Sequence, residues 1–343
     1  DPFPLGLPLV EAGSLEVDGR LAGQPRARDG IVYLATSDGR VTALVPSARS
    51  LLWRFNSGHP LASGPEIGPD HIVVHDDAGV LHVLDHRGAI ILERRIEERV
   101  TTTVREEQGR VFFGTADGMA VALDIGEGGT RAWAHRGPGA GAAMAAGPVF
   151  ADGLVVFGRS DGVIKAFDRS GRPVWERQAD GACRVDPVYD RGRLYFGTEG
   201  RRFYCLRAST GKQVWSRRLQ GAPAQPAVVV GRRIVVAASN SVVYVLAGRG
   251  GSILAWEAVP SRILYQLSTA GALALVSSAA PEIAFLDANA GKVRARHAAA
   301  GTVAAGALWV PPFVVLAEED EETGRQRLSF FRTGARAAAA TKS

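Results

Sequence analysis

The sequence predicts an all-β fold: an eight-bladed β-propeller of four-stranded antiparallel blades, with the ring closed by an N-terminal strand. The first observation is an apolar pair that recurs eight times, at spacings of 40, 39, 44, 39, 40, 40 and 40 residues. A second apolar run follows each pair, and a third run places five of the six tryptophans at one repeat position. Repeats of about 40 residues with several short strands are typical of propeller blades. The eight pairs are Tyr33-Leu34, Val73-Val74, Phe112-Phe113, Val156-Phe157, Tyr195-Phe196, Val235-Val236, Leu275-Val276 and Val315-Leu316.

Turn residues separate the runs, and their positions also repeat. Asp-Gly pairs such as Asp38-Gly39 and Asp117-Gly118 stand between the first and second runs, where a tight hairpin requires positive φ. A fourth run precedes the first in most repeats and begins near a proline, as in Asp186-Pro187-Val188. Proline is tolerated at the start of a strand, so this run is also consistent with a strand. Glycine recurs between the second and third runs, at Gly88, Gly128-Gly129, Gly171, Gly211, Gly250-Gly251 and Gly291.

One ring accounts for the chain length, so we expect a single domain at residues 11–334. An irregular segment is expected at residues 1–10 and a disordered tail at residues 335–343. The chain begins at Asp1 without an initiator Met, which indicates processing or truncation upstream. No apolar run approaches the roughly 20 residues of a membrane helix, so no direct membrane span is predicted.

The eighth repeat lacks a third run, whereas residues 11–18 form a strand pattern without a blade of their own. We therefore expect Ser14–Val17 to pair beside Leu328–Phe331 as the outermost strand of the last blade. This pairing would remove the open sheet edge that ring closure has to eliminate.

The best-preserved repeats share a motif of two apolar runs, a turn with Gly, and a closing Trp. It occurs as VFFGTADGMAVALDIGEGGTRAW at 111–133, VVFGRSDGVIKAFDRSGRPVW at 155–175 and LYFGTEGRRFYCLRASTGKQVW at 194–215. This motif resembles the pyrroloquinoline-quinone-like (PQQ-like) propeller repeat, and eight copies in this length look most like the BamB family. These are propeller lipoproteins of the outer-membrane β-barrel assembly machinery.

The resemblance implies a non-enzymatic scaffold or accessory subunit that binds protein partners of a bacterial cell-envelope complex through loops on one face. It implies a periplasmic location and is compatible with a lipid anchor upstream of Asp1. Two alternatives stay open: a quinone (PQQ)-dependent dehydrogenase relative, and a ligand-sensing propeller cut from a larger receptor or kinase. The repeat alone does not decide whether a small ligand occupies the central channel.

Residues that would support cofactor chemistry are sparse in the sequence. Quinoprotein dehydrogenases share the propeller repeat that this chain resembles, and they carry a disulfide between adjacent cysteines. Here the two cysteines, Cys183 and Cys205, are 22 residues apart. We expect two free, half-buried thiols, with Cys183 on an inner strand and Cys205 on a third strand. The histidines of the second repeat are expected at the surface, and no cofactor or metal is predicted. These four histidines are His71, His75, His82 and His86.

The five tryptophans of the third run are expected to be structural, packing between neighbouring blades. They are Trp53, Trp133, Trp175, Trp215 and Trp256.

Arginine recurs just after the third run, where the chain leads to the next blade, and we expect these residues to share one face. An acidic protein surface is the expected partner. Nucleic acid is not, because no aromatic residues interleave with the arginines, and no obligate homo-oligomer is expected. The small-residue segment at 137–147 is expected to project from the same face as a flexible loop. The predicted partner-binding residues are Arg54, Arg94, Arg95, Arg136, Met144, Arg177, Arg184, Arg217, Arg218, Arg262 and Tyr265.

Overall fold

The computed structural model describes residues 7–136 and 141–333. Within these residues, 32 strands form eight four-stranded antiparallel sheets, and no helix occurs. This arrangement confirms the predicted eight-bladed propeller. No helix in this part of the chain has the length and hydropathy needed to span a bilayer.

The strands are numbered in chain order. Blades 1 and 2 contain β2 (Arg26–Arg28), β3 (Ile31–Ala35), β4 (Arg40–Val45), β5 (Ser50–Asn56), β6 (Glu66–Ile67), β7 (Ile72–His75), β8 (Val80–Leu84) and β9 (Ile90–Arg95). Blades 3 and 4 contain β10 (Arg105–Glu107), β11 (Arg110–Gly114), β12 (Met119–Asp124), β13 (Thr130–Arg136), β14 (Met144–Ala151), β15 (Leu154–Arg159), β16 (Val163–Phe167) and β17 (Pro173–Gln178). Blades 5 and 6 contain β18 (Val188–Asp190), β19 (Arg193–Gly197), β20 (Arg202–Arg207), β21 (Gln213–Arg218), β22 (Val228–Val230), β23 (Arg233–Ala237), β24 (Val242–Ala247) and β25 (Ile253–Ala258). Blades 7 and 8 contain β26 (Ser268–Ala270), β27 (Leu273–Ser277), β28 (Glu282–Asp287), β29 (Lys292–Ala298), β30 (Thr302–Val310), β31 (Phe313–Glu319), β32 (Gln326–Thr333) and, from the N-terminus, β1 (Leu9–Val17).

Each blade runs from an inner strand at the ring axis to an outer strand at the rim. The inner strands of neighbouring blades contact one another, as β2 and β6 do. The turns after the first and third strands of a blade lie on one side of the ring, which we call the turn face. The turns after the second strand, and the connections from outer strand to next blade, lie on the opposite side, which we call the connection face.

The hydrophobic core lies between adjacent blades. Strand β15 is buried along its whole length because its two faces pack against different blades. Such strands are near-continuously apolar instead of alternating. In one cluster Val156 and Ile164 of blade 4 pack with Leu194 and Phe196 of blade 5, and comparable clusters fill the other spaces between blades.

Ring closure occurs as the sequence predicts. Strand β1 pairs antiparallel with β32, with Ser14 opposite Ser329 and Leu15 opposite Leu328. The strand begins at Leu9, two residues before the predicted start of the ring, while the predicted tail at residues 335–343 lies outside the described residues.

A β-bulge in β1 lets one strand pack against two neighbouring blades. The register shifts between Glu11 and Gly13, and Gly13 adopts φ +147°, a value that favours glycine. An extra residue reverses which face the following side chains occupy. Leu9 therefore joins the cluster shared with blade 7, whereas Leu15 and Val17 join the cluster shared with blade 1.

Four of the five repeat tryptophans join neighbouring blades. The indole N–H of Trp175 donates to the Ala208 carbonyl at 2.8 Å, and that of Trp215 donates to the Gly248 carbonyl at 3.1 Å. Trp175 lies against Gly211, where an added Cβ would come within 2.5 Å of the indole. Trp53 and Trp133 make the same contacts with the next blade in turn. The structural interpretation is therefore confirmed for these four residues.

Trp256 does not follow this pattern, and its predicted role between blades is wrong. Its side chain is 63% exposed. Trp215 stands four residues after Gly211, but Trp256 stands five residues after Gly251. Because side chains on a strand alternate between faces, the extra residue turns the indole away from the next blade. Ala255 takes the inward position and contacts Gly291.

Candidate partner-binding face

Three of the predicted arginines lie on the connection face and are paired with nearby carboxylates. Arg54 Nη2 lies 2.7 Å from Asp18 Oδ2, and Arg184 Nε lies 2.6 Å from Glu199 Oε1. Arg136 pairs with Asp117. The Asp-Gly turns of the repeat therefore share this face with the arginines. Part of the predicted positive charge is neutralised locally as a result.

Arg177 and Arg217 each donate a hydrogen bond to the next blade, while Arg177 stays exposed and Arg217 is half-buried. Arg177 Nε donates to the Gly211 carbonyl at 2.9 Å, and Arg217 Nε donates to the Gly251 carbonyl at 2.8 Å. Arg94 holds the same position, six residues after the turn glycine, and its stem lies against Gly129. The inward-facing Trp or Leu stands four residues after the turn glycine, and the arginine stands six residues after it. Side chains two positions apart on a strand point to the same face, so each arginine lies beside that Trp or Leu.

Met144 is also not a surface residue. It is 0% exposed and packs with Phe112 and Phe157 in the core between blades 3 and 4. It begins the inner strand β14, whose residues 144–151 are ordered within the sheet. The predicted loop is thus shorter than the segment at 137–147, and residues 137–140 lie outside the described part of the chain.

Tyr265 contributes to packing between blades 7 and 8. Its hydroxyl donates to the Val303 carbonyl at 2.5 Å, and its ring packs on the cluster shared by those blades. Burial raises the pKa of this phenol, with a further contribution from Glu319. The side chain is half-buried, so it is less available to a partner than the sequence indicates.

Five predicted arginines remain exposed and, among the described residues, make no ion pair. They are Arg94, Arg95, Arg177, Arg218 and Arg262. Arg99 lies on the connection from blade 2 to blade 3 and is exposed as well. An approaching protein can reach these residues.

Arg95 and Arg99 line a cleft of about 620 Å³ on the connection face. One wall is the turn at residues 75–79 of blade 2, and the other is the connection at residues 95–100. Asp77, Glu97 and Glu98 line it too, so both signs of charge are present. The cleft meets a cavity of about 340 Å³ near the ring axis, which has Arg26 among its lining residues. Sequence analysis did not select these carboxylates, although the charged run from Glu93 to Arg99 was a visible signal.

The buried His82 and Asp76 form a polar cluster with the exposed Glu93, and Asp76 also lines the cleft. His82 Nε2 lies 2.9 Å from Asp76 Oδ2, and His82 Nδ1 lies 3.0 Å from Glu93 Oε1. Burial acts to raise the pKa of Asp76, but hydrogen bonds from His82 and from the Val80 N–H lower it overall. His82 is 2% exposed, so its predicted surface position is wrong. It occupies a central strand position, facing Phe55 at 5.4 Å between ring centroids.

The family profile described as "Outer membrane protein assembly factor BamB" matches residues 37–181 and 160–309 of this chain. The two matches together span most of the ring. The chain belongs to the BamB family.

A curated relative supports this assignment and shows its limits. The chain is 24% identical over 203 residues to the outer membrane protein assembly factor BamB of Nitrosomonas eutropha, covering 55% of this chain and 49% of that protein. The match thus extends over about half the length of that BamB relative.

Two solved structures share the fold. BamB from Moraxella catarrhalis has a TM-score of 0.77 at 17% identity, with 94% of this chain and 99% of that chain covered. Quinohemoprotein alcohol dehydrogenase from Comamonas testosteroni has a TM-score of 0.74 at 13% identity, with 96% and 77% covered. At these identities the likeness to each structure is a likeness of fold alone.

Both cysteines of this BamB-family chain are free thiols and are fully buried, not half-buried as predicted. Cys205 lies on the third strand of blade 5 as predicted, whereas Cys183 lies on the connection that precedes β18. Burial raises the pKa of Cys183 to about 12, with a further contribution from Asp161, and burial also raises that of Cys205. In residues 7–136 and 141–333, no group of three or more His, Cys, Asp or Glu side chains is placed to hold a metal ion.

We predict that neither cysteine reacts with a thiol reagent in the native protein near pH 8. Thiolate is the reactive form, and burial disfavours it at both positions. Titration with a chromogenic disulfide should therefore detect no thiol in the native protein and two in guanidinium chloride. Cys183→Ser and Cys205→Ser proteins should each lose one of the two. Rapid native labelling would contradict the burial described here.

Proposed function

We propose that this BamB-family propeller is a non-enzymatic scaffold that binds protein subunits of a bacterial cell-envelope complex, with a role in outer-membrane protein assembly. The observation that carries the proposal is the family match, which extends from residue 37 to residue 309. A periplasmic location follows from the proposal. A periplasmic location is compatible with a lipid anchor upstream of Asp1.

We place the partner-binding site on the connection face, at the cleft between blades 2 and 3. Arg95 and Arg99 are exposed there beside Asp77 and Glu98. A rigid ring presents such loops in a fixed arrangement, and loops on rigid scaffolds commonly carry binding. Exposed charges of both signs suit a protein surface, where they direct the encounter and set its orientation.

Affinity purification from the native bacterial envelope tests the role of the chain. We expect the tagged protein to recover a subunit of the outer-membrane protein assembly complex. With that partner purified, Arg95→Glu/Arg99→Glu protein should associate about tenfold more slowly at low salt, because exposed charges at an interface act mainly on the association rate. Association is measured by surface-based binding kinetics.

A charge-matched control separates this site from the net charge of the protein. Arg87→Glu/Lys292→Glu makes the same change on the turn face, where both residues are exposed, and should leave the association rate unchanged. Equal slowing by both double variants would contradict the assigned face.

Dye-linked alcohol oxidation after addition of PQQ and Ca²⁺ would contradict the non-enzymatic role. A receptor or kinase domain in the full-length gene would favour a sensing function instead.

A further inference from the structure

The turn face of blades 5 and 6 carries a local excess of positive charge. Its four turns bring together seven cationic side chains and a single carboxylate, Asp190. This excess of six compares with a formal net charge of +5 for the whole chain. One cation, Arg193, is used within the fold, since its guanidinium donates to the Gly248 carbonyl at 3.1 Å. The other six, which we call the basic rim, are Arg191, Arg207, Lys212, Arg232, Arg233 and Arg249.

The basic rim is one continuous surface. Arg207 is the cross-strand neighbour of Arg193. Arg193 in turn reaches the carbonyl of Arg249 in the next blade at 3.3 Å. The Gly248 N–H donates to the Arg232 carbonyl, which brings the two turns of blade 6 together. Turns that lie far apart in sequence therefore present their charges side by side.

The side chains of the basic rim have few carboxylate partners within the fold. On turns of blades 3 and 4, by contrast, Arg110 pairs with Asp124 at 3.3 Å and Arg172 pairs with Asp168 at 3.0 Å. In the described part of the chain, Arg191 has only Asp190 at 3.9 Å, and no ion pair involves the other five. Concentrated charge of one sign without internal partners points to an external anion.

Exposed aliphatic residues border the basic rim. Val214, Ile253 and Leu254 begin the outer strands of blades 5 and 6 directly after these turns, and each is 41–46% exposed. Trp256 is exposed on the same outer strand as Leu254. Basic residues beside aliphatic and aromatic side chains are the composition of surfaces that lie in the headgroup region of a membrane.

We propose that the basic rim and its aliphatic border bind a membrane surface that contains anionic phospholipid. The cations project from four separate turns and do not converge on one pocket, which suits a layer of headgroups better than a single ligand. The proposal goes beyond the scaffold function and does not depend on it. Binding through the turn face would leave the connection face free for a protein partner.

Co-sedimentation with vesicles tests the proposal on the whole chain. The protein should bind vesicles of phosphatidylcholine mixed with phosphatidylglycerol and stay in the supernatant with phosphatidylcholine alone. Arg232→Gln/Arg233→Gln should weaken binding about tenfold or more, because each Lys or Arg near an anionic surface contributes roughly fivefold. Binding should also weaken as salt rises, since salt screens exposed charges.

Two further variants test the location and the contribution of the aliphatic border. Arg218→Gln/Arg262→Gln removes the same charge from the connection face and should bind like the unmodified protein. Ile253→Ser/Leu254→Ser should lower the binding that persists at high salt. Equal binding to both vesicle types, or equal loss in the two arginine variants, would overturn the proposal. Binding of poly-glutamate with no vesicle binding would instead assign the basic rim to an acidic protein.

Discussion

Removal of residues 1–20 is expected to lower the melting temperature by about 10 °C or more. The deletion takes away β1, and with it the antiparallel ladder to β32 and the packing of Leu9, Leu15 and Val17. Burying one such side chain is worth about 1.5–3 kcal/mol when it is complete, and a loss of several kcal/mol shifts melting by roughly this amount. The exposed edge of β32 should also promote association between molecules.

Point variants separate the contribution of the buried side chains of β1 from that of its backbone pairing with β32. Leu15→Asp/Val17→Asp places two charges in the cluster shared with blade 1 and should reproduce most of the loss. Ser14→Asp/Glu16→Gln changes the exposed positions of the same strand and should leave melting unchanged. The measurement is thermal unfolding by circular dichroism, with size-exclusion chromatography for association. A deletion protein that melts normally as a monomer would refute closure by β1.

Trp215→Ala is expected to destabilise the protein by about 3–5 kcal/mol, the usual cost of removing a buried aromatic side chain. The indole fills the space between blades 5 and 6, lies against Gly251, and donates to the Gly248 carbonyl. Its loss leaves a cavity and a carbonyl without that donor. Equilibrium unfolding in guanidinium chloride, followed by circular dichroism, gives the free energy.

Trp256→Ala is the matched control within the same repeat family. This indole is 63% exposed, so its removal should change the free energy of unfolding by less than about 0.5 kcal/mol. Gly211→Ala should lower the free energy of unfolding, as loss of a packed tryptophan does. An added Cβ would meet the Trp175 indole, and φ is +64° at Gly211. Similar costs for Trp215→Ala and Trp256→Ala would mean that the spacing from the turn glycine does not decide which indole packs inward.

The sequence alone determined the architecture of this protein, because each blade is a local unit. Within one blade, the apolar pair, the turn residues and the apolar runs that flank them lie within about 40 residues of one another. Turn geometry and strand alternation act over a few residues. The missing outer strand of the eighth repeat likewise predicted that Ser14–Val17 would close the ring, and the structure pairs those residues as expected.

The placement of individual side chains was decided by contacts between blades. Arg177 and Arg217 recur at the repeat period, and carbonyls of the next blade accept their Nε–H groups. Met144 stands beside a glycine-rich segment, yet it fills the space between Phe112 and Phe157. The basic rim arises because the ring places turns from two blades on one face. A side chain's direction depends on strand parity, and its neighbours come from residues about 40 positions away, so only the assembled ring determines which charges meet solvent and which hold the blades together.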